Sequence, residues 1–138
     1  MKRTETREML FKALYEIEIQ KDVSEEHTDL FLENNEITDN EAISYIKKAI
    51  KEITERKDEL EELISKNLKK DWTLDRISKT NIALLKLAIY EIKYAEVPFK
   101  VAINEAVELA KKYGDDNTPA FVNGILASVV KKNKIEEQ

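Results

Sequence analysis

The chain of 138 residues lacks cysteine altogether and contains only two glycines, two prolines and one histidine. Without cysteine, disulfides and thiolate nucleophiles or metal ligands are excluded, which is typical of a protein of the reducing cytoplasm. The single histidine, His27, excludes a histidine metal cluster and lies in an acidic stretch. No apolar run approaches the roughly 18 residues that a membrane-spanning helix requires, and no signal-peptide core follows the basic N-terminus. These absences predict a cytoplasmic protein that uses neither metal nor cofactor.

The negative charge of the chain is concentrated in one segment. The sequence has 28 acidic and 23 basic residues, which gives a net charge of −5 at pH 7. Eight acidic residues and no lysine or arginine lie in residues 22–41, so the rest of the chain carries a net charge of +3. Lys2, Arg3 and Arg7 form a small basic cluster near the start. A chain with oppositely charged faces can still bind a polyanion on the basic face.

Apolar residues recur with the helical period along the whole chain, and no segment alternates with the period of a β-strand. The scarcity of glycine and proline and the high content of charged residues also favour helices. Ser24, and a capping box formed by Thr38 with Glu41, predict two helix starts. A break between two helices is predicted at residues 56–58. We therefore expect six or seven helices in a single all-α domain that spans residues 1–138.

The first helix, predicted over residues 4–20, has two apolar stripes. The first stripe begins at Leu10, and the second consists of Phe11, Tyr15 and Ile19. Two apolar faces exceed what a surface helix needs, so the second stripe either packs inside the fold or faces a partner. We place Phe11 in the core and leave both interpretations open for Tyr15.

The second half of the chain contains the most apolar helix. Residues 77–95 are apolar around most of the helix circumference, which predicts a buried central helix. Trp72 and Leu74, in the connection before it, are expected to lie in the core. Gly114 is expected to end the next helix in the left-handed conformation. Thr118 is predicted to be the N-cap of the last helix.

Polar residues and a glycine interrupt the apolar pattern of the last two helices. Polar groups inside an apolar helix destabilise the fold unless they are paired, so we expect Asn104 and Asn123 to hydrogen-bond neighbouring elements. Gly124 costs about 1 kcal/mol relative to alanine in mid-helix, which favours close packing of another backbone there. Phe121 lies in the first turn of the last helix. It either belongs to the core or stacks on an unpaired base while nearby backbone N–H groups bind phosphate.

Signatures of an enzyme are absent from the sequence. There is no glycine-rich phosphate-binding loop and no metal-binding spacing such as HExxH. Glu105 and Glu108 share a helix face, but such pairs arise by chance in a chain rich in glutamate, and we interpret them as a solvated surface. Arg76 precedes the central helix, where the helix dipole disfavours a cation. Its position indicates a carboxylate partner, either within the fold or on another protein.

Two blocks in the second half are specific enough to indicate a family. They are INEAVELAK at residues 103–111 and FVNG at residues 121–124. Weaker blocks occur in order over essentially the whole chain: Arg7 followed by Ala13-Leu14-Tyr15, Trp72 followed by Arg76, and residues 82–91. Together these blocks resemble the NusB family of bacterial transcription antitermination factors.

The resemblance implies a NusB-like all-α domain of about seven helices in two packed three-helix bundles. It also implies a non-catalytic role. NusB-like proteins pair with NusE, a small-subunit ribosomal protein, bind the boxA element of single-stranded nascent RNA, and help RNA polymerase to transcribe ribosomal RNA operons. Each protein alone contacts RNA weakly. When the two proteins are paired, the RNA held by one is at a high effective concentration for the other, so the pair binds RNA more tightly than either protein.

The family's functional residues can be carried over only where this sequence matches. The resemblance implies RNA-binding residues at Lys2, Arg3, Arg7, Asn117 and Phe121. It implies NusE-binding residues at Tyr15, Ile19, Asp75, Arg76 and Asn81. Thr4, Glu5 and Thr6 interrupt the basic run, which is denser in arginine in the family, so we expect fewer phosphate contacts and a shallower salt dependence. Ala127 stands where relatives often have an acidic residue.

Two other functions are compatible with the same blocks. One is an RNA-binding helper domain related to the N-terminal domain of ribosomal RNA methyltransferases, which would accompany a catalytic domain with a glycine-rich cofactor motif. The other is a protein-interaction module without an RNA role, which the acidic balance and the few arginines favour. The apolar second stripe of the first helix also suits either a monomer with a partner or a homodimer.

Overall fold

The computed structural model describes residues 1–133, which contain seven α-helices and no β-strand. The helices are α1 (Arg3–Gln20), α2 (Glu25–Asn34), α3 (Asn40–Glu55), α4 (Lys57–Lys66), α5 (Lys79–Tyr94), α6 (Phe99–Tyr113) and α7 (Thr118–Lys132), with a 3₁₀ turn at Leu74–Arg76. The predicted all-α fold of about seven helices is confirmed, and so is the break between α3 and α4. Contacts divide the chain into a first unit, Met1–Arg56, and a second unit that begins at Lys57. The expectation of one domain stays a prediction.

The first unit consists of α1, α2 and α3. The side chain of Ser24 caps α2, as predicted, by accepting a hydrogen bond of 3.2 Å from the N–H of His27. Helix α3 begins one residue later than the Thr38 capping box predicts, because the Asp39 carboxylate accepts the N–H of Glu41 at 3.0 Å. The core of this unit is formed by buried apolar side chains of all three helices: Leu10, Phe11, Leu14, Phe31, Leu32, Ile46, Ile50 and Ile53.

Helix α5 is the centre of the second unit. Its eleven residues from Ile82 to Ile92 are all buried, and α4, α6 and α7 pack against it. The buried stretch includes Lys86, whose Nζ lies 2.8 Å from Oε2 of Glu61 on α4. Burial raises the pKa of Glu61, but the hydrogen bonds and charges of Lys86 and Lys57 outweigh burial and hold the pKa below its usual value. The predicted buried central helix is confirmed, and it contains a paired charge.

The connection before α5 differs from its prediction. Trp72 is 53 % exposed and Leu74 is only partly buried, so the expectation that both lie in the core is wrong. A turn closed by the Trp72 N–H, which donates to the Lys69 carbonyl at 3.0 Å, holds this polar segment at the surface. Ile77, which is 5 % exposed, is the buried residue that anchors the connection.

Candidate nucleic-acid and partner interfaces

The basic residues at the start of α1 differ in their exposure. Lys2 and Arg3 are exposed, whereas Arg7 is only 4 % exposed and is engaged in an interaction within the chain. A buried guanidinium presents little surface to a phosphate group. Of the three basic residues predicted to bind RNA, Lys2 and Arg3 are therefore the two that this structure presents to solvent.

Acidic side chains lie beside these cations. A cleft of about 360 Å³, which we name the N-terminal cleft, is lined by Met1, Arg3, Thr6, Arg7, Asp39, Glu41, Ala42 and Tyr45. The N-terminal ammonium donates a hydrogen bond of 2.7 Å to Oδ2 of Asp39. This pairing raises the pKa of the ammonium and lowers the pKa of Asp39. A phosphate group that approaches this cleft meets positive charge that carboxylates already partly neutralise.

The second apolar stripe of α1 is buried only at its first member. Phe11 is 2 % exposed, as predicted, whereas Tyr15 is 38 % exposed and Ile19 is 52 % exposed. The rings of Phe11 and Tyr15 are in contact, with centroids 6.5 Å apart. The core thus supports one side of the Tyr15 ring and leaves the rest, together with Ile19, on the surface of the first unit.

The other three residues predicted to bind a partner lie at the start of α5 in the second unit. Asp75 and Arg76 are exposed on the 3₁₀ turn. The hydroxyl of Thr73 donates a hydrogen bond to Asp75, and this bond lowers the pKa of the Asp75 carboxyl. Arg76 forms no ion pair with a described residue, although its charge contributes to the lowered pKa of the neighbouring Asp75. A carboxylate in direct contact with Arg76 is therefore not found in residues 1–133.

Asn81 contains an unsatisfied acceptor. Its backbone N–H donates to the Ser78 hydroxyl at 3.1 Å and so completes the cap of α5. Its side-chain Oδ1 is buried and has no hydrogen-bond partner in the described part of the chain. A buried acceptor without a donor costs free energy that a donor from outside the chain would recover.

The turn between α6 and α7 is closed by paired polar groups. Oδ1 of Asp115 accepts the N–H of Asn117 at 2.9 Å and the N–H of Thr118 at 3.1 Å. The Thr118 hydroxyl accepts the Asp115 N–H at 3.0 Å and donates to the same carboxylate at 3.1 Å. We name this hydrogen-bonded segment, residues 114–118, the α6–α7 turn. Asp115 therefore occupies the N–H groups of Asn117 and Thr118, and these two are not available to a phosphate group. Phosphate binding by other backbone N–H groups beside Phe121 stays a prediction.

The backbone conformation of Gly114 also differs from the one predicted. Its φ of −97° and ψ of −172° are extended, so it does not end α6 in the left-handed conformation. A Cβ at this position would overlap the Cβ and both γ atoms of Thr118, which is itself buried. The glycine is therefore required by close approach within the α6–α7 turn. Asn117 is the N-cap of α7 and Thr118 is its first residue, so the helix begins one residue earlier than predicted.

Phe121 and Asn117 lie together at the start of α7. Asn117 is exposed, and Phe121 is partly buried in the first turns of the helix, next to the buried Val122. The Phe121 N–H donates to the Asn117 carbonyl at 3.1 Å. The structure thus keeps part of the Phe121 ring accessible, which suits either a stacking surface or the edge of the core.

The two asparagines and the glycine of the family-specific blocks have no structural partner among the described residues. Asn104, Asn123 and Gly124 are all exposed, and neither asparagine side chain hydrogen-bonds a described residue. A Cβ added to Gly124 would meet no atom within 4 Å. The expectation that these residues hold two helices in close register is therefore wrong. Relative to alanine, an asparagine in a helix costs up to about 0.7 kcal/mol and a glycine about 1 kcal/mol.

Both asparagines line one cleft between α6 and α7. This α6–α7 cleft has a volume of about 510 Å³ and is lined by Phe99, Lys100, Ile103, Asn104, Val107, Pro119, Ala120 and Asn123. Five of these eight side chains are apolar, one is a cation and none is a carboxylate. This cleft was not predicted from the sequence. A usable signal was the four-residue spacing from Lys100 to Asn104, which places a cation and an amide on one helix face.

Two other kinds of site are absent from residues 1–133. No helix in this range has the length and apolar character needed to cross a membrane. No group of three histidine, cysteine, aspartate or glutamate side chains in this range could hold a metal ion. The candidate residues lie instead on the surfaces and clefts described above.

The family to which these features belong follows from comparison with known proteins. The sequence model of the NusB family matches residues 4–131, which is nearly the whole chain. The chain belongs to the NusB family. The resemblance indicated by the INEAVELAK and FVNG blocks is thus confirmed, and the exposed asparagines and Gly124 are features of a NusB protein.

Individual relatives agree with this assignment. The transcription antitermination protein NusB of Clostridium perfringens strain SM101 is 43 % identical over 136 residues, covering 97 % of this chain and 100 % of that protein. The solved structure of T. maritima NusB is 35 % identical, with a TM-score of 0.84 over 96 % of this chain and 92 % of that one. A solved complex of the antitermination factors NusB and NusE with double-stranded RNA contains a chain that is 25 % identical, with a TM-score of 0.84 over 96 % of this chain and 99 % of that one.

Proposed function

We propose that this protein is a non-catalytic transcription antitermination factor of the cytoplasm. In this proposal it binds boxA RNA together with NusE and promotes transcription of ribosomal RNA operons. The observation that carries the proposal is the likeness, over nearly the whole chain, to the NusB chain of a solved NusB–NusE–RNA complex. The exposed apolar and polar residues of both units support it.

The proposed NusE surface uses two sets of residues. In the first unit, Tyr15 and Ile19 offer an apolar area on α1 that the core leaves uncovered. In the second unit, Asp75 and Arg76 offer exposed charges, and Asn81 offers a buried acceptor that lacks a donor. Aromatic and arginine side chains are enriched among the residues that dominate binding energy at interfaces, which favours Tyr15 and Arg76 as the main contributors.

The proposed RNA surface is weak when taken alone. Lys2 and Arg3 are its exposed cations, and carboxylates of the N-terminal cleft lie beside them. Arg7 would contact RNA only if the start of α1 rearranged, because it is buried. Asn117 and Phe121 add a polar group and part of an aromatic ring in the second unit. A partner that also contacts the RNA would compensate for the small number of cations that contact phosphates. It would raise the effective concentration of the RNA at this surface.

The proposal is tested by titrating labelled boxA RNA with this protein, with NusE, and with both, at two salt concentrations. We expect the mixture to bind far more tightly than either protein, and its affinity to fall as salt rises. Single-stranded and double-stranded forms of the same RNA are compared, because the solved complex of the relative contains double-stranded RNA. A mixture that binds no more tightly than the better single component would refute the proposal.

Variants separate the two surfaces. Arg76→Glu should weaken NusE pairing, whereas Lys70→Glu, at another exposed residue of the same connection, should not. Ile19→Ser should weaken pairing more than Leu30→Ser, because the two side chains are 52 % and 54 % exposed but only Ile19 lies on the proposed surface. Phe121→Ala should weaken RNA binding and leave NusE pairing intact. If Phe121→Ala abolishes both, Phe121 is a core residue and its RNA role is rejected.

A further inference from the structure

The α6–α7 cleft combines features that no part of the described fold uses. Its two walls each present one exposed primary amide, from Asn104 on α6 and Asn123 on α7. Neither amide bonds a described residue, and both stand in mid-helix, where asparagine is a poor helix former. Side chains that weaken a helix and serve no contact inside it are candidates for contacts with something outside.

The chemistry of the cleft fits an unpaired nucleobase. The primary amide has two donors and an acceptor, which matches the hydrogen-bonding edge of a base. Apolar side chains from both helices, among them the partly buried Phe99, offer surfaces on which a flat ring can lie. Lys100, which also has an interaction within the chain, places a positively charged side chain at the edge of the cleft.

The lining of this cleft also differs in charge from that of the N-terminal cleft. The N-terminal cleft contains two carboxylates, whereas no carboxylate lines the α6–α7 cleft. In a protein of net charge −5, a cleft without carboxylates in its lining is better suited to a polyanion than the N-terminal cleft is. An extended peptide without negative charge could also bind to the amides, but it would gain nothing from the absence of carboxylates.

The cleft lies beside the two residues of α7 that are proposed to bind RNA. Pro119 and Ala120 line the cleft, and they lie between Asn117 and Phe121 at the start of the same helix. A strand that contacts Asn117 and Phe121 would therefore pass directly beside the cleft. We propose that the α6–α7 cleft binds one unpaired base of the RNA and that Asn104 and Asn123 recognise its edge. This inference rests on the proposed RNA-binding function and names a subsite within it.

The test uses the full chain with NusE and single-stranded boxA oligonucleotides in which each base in turn is replaced by an abasic nucleotide. With the unsubstituted protein, we expect one abasic position to lower affinity roughly tenfold, the size of a good amide–base contact. Asn104→Ala and Asn123→Ala should each lower affinity for the intact RNA. Neither should lower it further at that abasic position, because the contact is already lost. Asn34→Ala, at another exposed helical asparagine, is the matched control and should change nothing.

The outcomes of this experiment distinguish failure of the proposed function from failure of the base-binding subsite. If the unsubstituted protein with NusE binds no RNA, the proposed function fails and the subsite falls with it. If RNA binds but the two asparagine variants match Asn34→Ala, only the subsite is overturned. If the variants lose NusE affinity instead, the cleft is a protein-docking site and the proposal is wrong. In a second measurement, nucleoside monophosphates added to the protein should shift the NMR signals of the Asn104 and Asn123 side-chain amides, and unchanged signals would contradict the proposal.

Discussion

The turn that joins α6 to α7 and the cleft between the same two helices use polar residues and glycine in opposite ways. In the α6–α7 turn, Asp115 and Thr118 exchange hydrogen bonds, and Gly114 leaves no room for a side chain. In the α6–α7 cleft, Asn123 has no described partner, and the neighbouring Gly124 faces open space. Residues that serve the fold thus show their partners within the chain, and those without such partners are the better candidates for binding. Substitutions in the turn and beside the cleft should therefore change stability in opposite directions.

Gly114→Ala should destabilise the protein. The added Cβ would overlap Thr118, whose buried side chain is held by a hydrogen bond to Asp115. The turn or the start of α7 must therefore shift, which should lower the free energy of unfolding by about 1–3 kcal/mol. The free energy of unfolding from urea titration measures the effect. An unchanged unfolding midpoint would mean that the α6–α7 turn accommodates the methyl group and that the close approach of residues 114 and 118 does not require glycine.

Thr118→Val should have a smaller effect in the same direction. Valine keeps the shape of the side chain but removes the hydroxyl that bonds Asp115, at a net cost of about 1 kcal/mol. Thr4→Val, at an exposed residue of α1, is the control and should alter the unfolding midpoint little. Equal effects of the two variants would contradict the role assigned to the Thr118 hydroxyl.

Gly124→Ala should stabilise the protein, in contrast to Gly114→Ala. The alanine Cβ enters open space on an exposed helix face, so the gain in helix propensity of about 0.7 kcal/mol is not offset by a clash. The same urea titration measures it. A loss of stability would show that Gly124 has a structural role which the described contacts do not reveal.

The smallest expected effect concerns pH. The N–H of Asn117 and the hydroxyl of Thr118 hold the pKa of Asp115 below its ordinary value of 3.8. A lowered pKa in the folded state means that the carboxylate stabilises the fold above pH 4 and loses this contribution as the pH falls below that value. The stability difference between the unsubstituted protein and Asp115→Asn should therefore be larger at pH 7 than at pH 3. A difference that does not change with pH would contradict this assignment.

The helices were predictable because local signals decide them. The unbroken apolar pattern of α5 and the side chain of Ser24 act through neighbours a few residues away, and both predictions are confirmed. Trp72 is different, because an aromatic residue in a connection is buried only if that connection meets a core, and this one stays at the surface. Whether such a residue is buried depends on long-range packing, which periodicity does not encode.

The site residues were harder to predict for the same reason. The pattern around Asn104 and Asn123 marks polar residues in apolar helices, but the rotation of each helix about its axis decides whether an amide points to the core or to solvent. Arg7 shows the converse case, because a charge near a chain terminus normally lies in solvent, and here it is buried. The family-specific sequence blocks identify functionally or structurally important positions, but they do not indicate whether a given residue contributes to folding or to binding.

The exposure of Trp72 has a consequence for optical measurements. It is the only tryptophan of the chain, and its indole is 53 % exposed in the folded protein. Its emission should therefore already lie near the long wavelengths of a solvated indole and shift little when the protein unfolds. Trp72 lies three residues before Asp75, so a partner that covers the 3₁₀ turn would exclude water from the ring and move the emission to shorter wavelengths. The intrinsic fluorescence of this protein should thus be a poor reporter of unfolding and a sensitive reporter of partner binding.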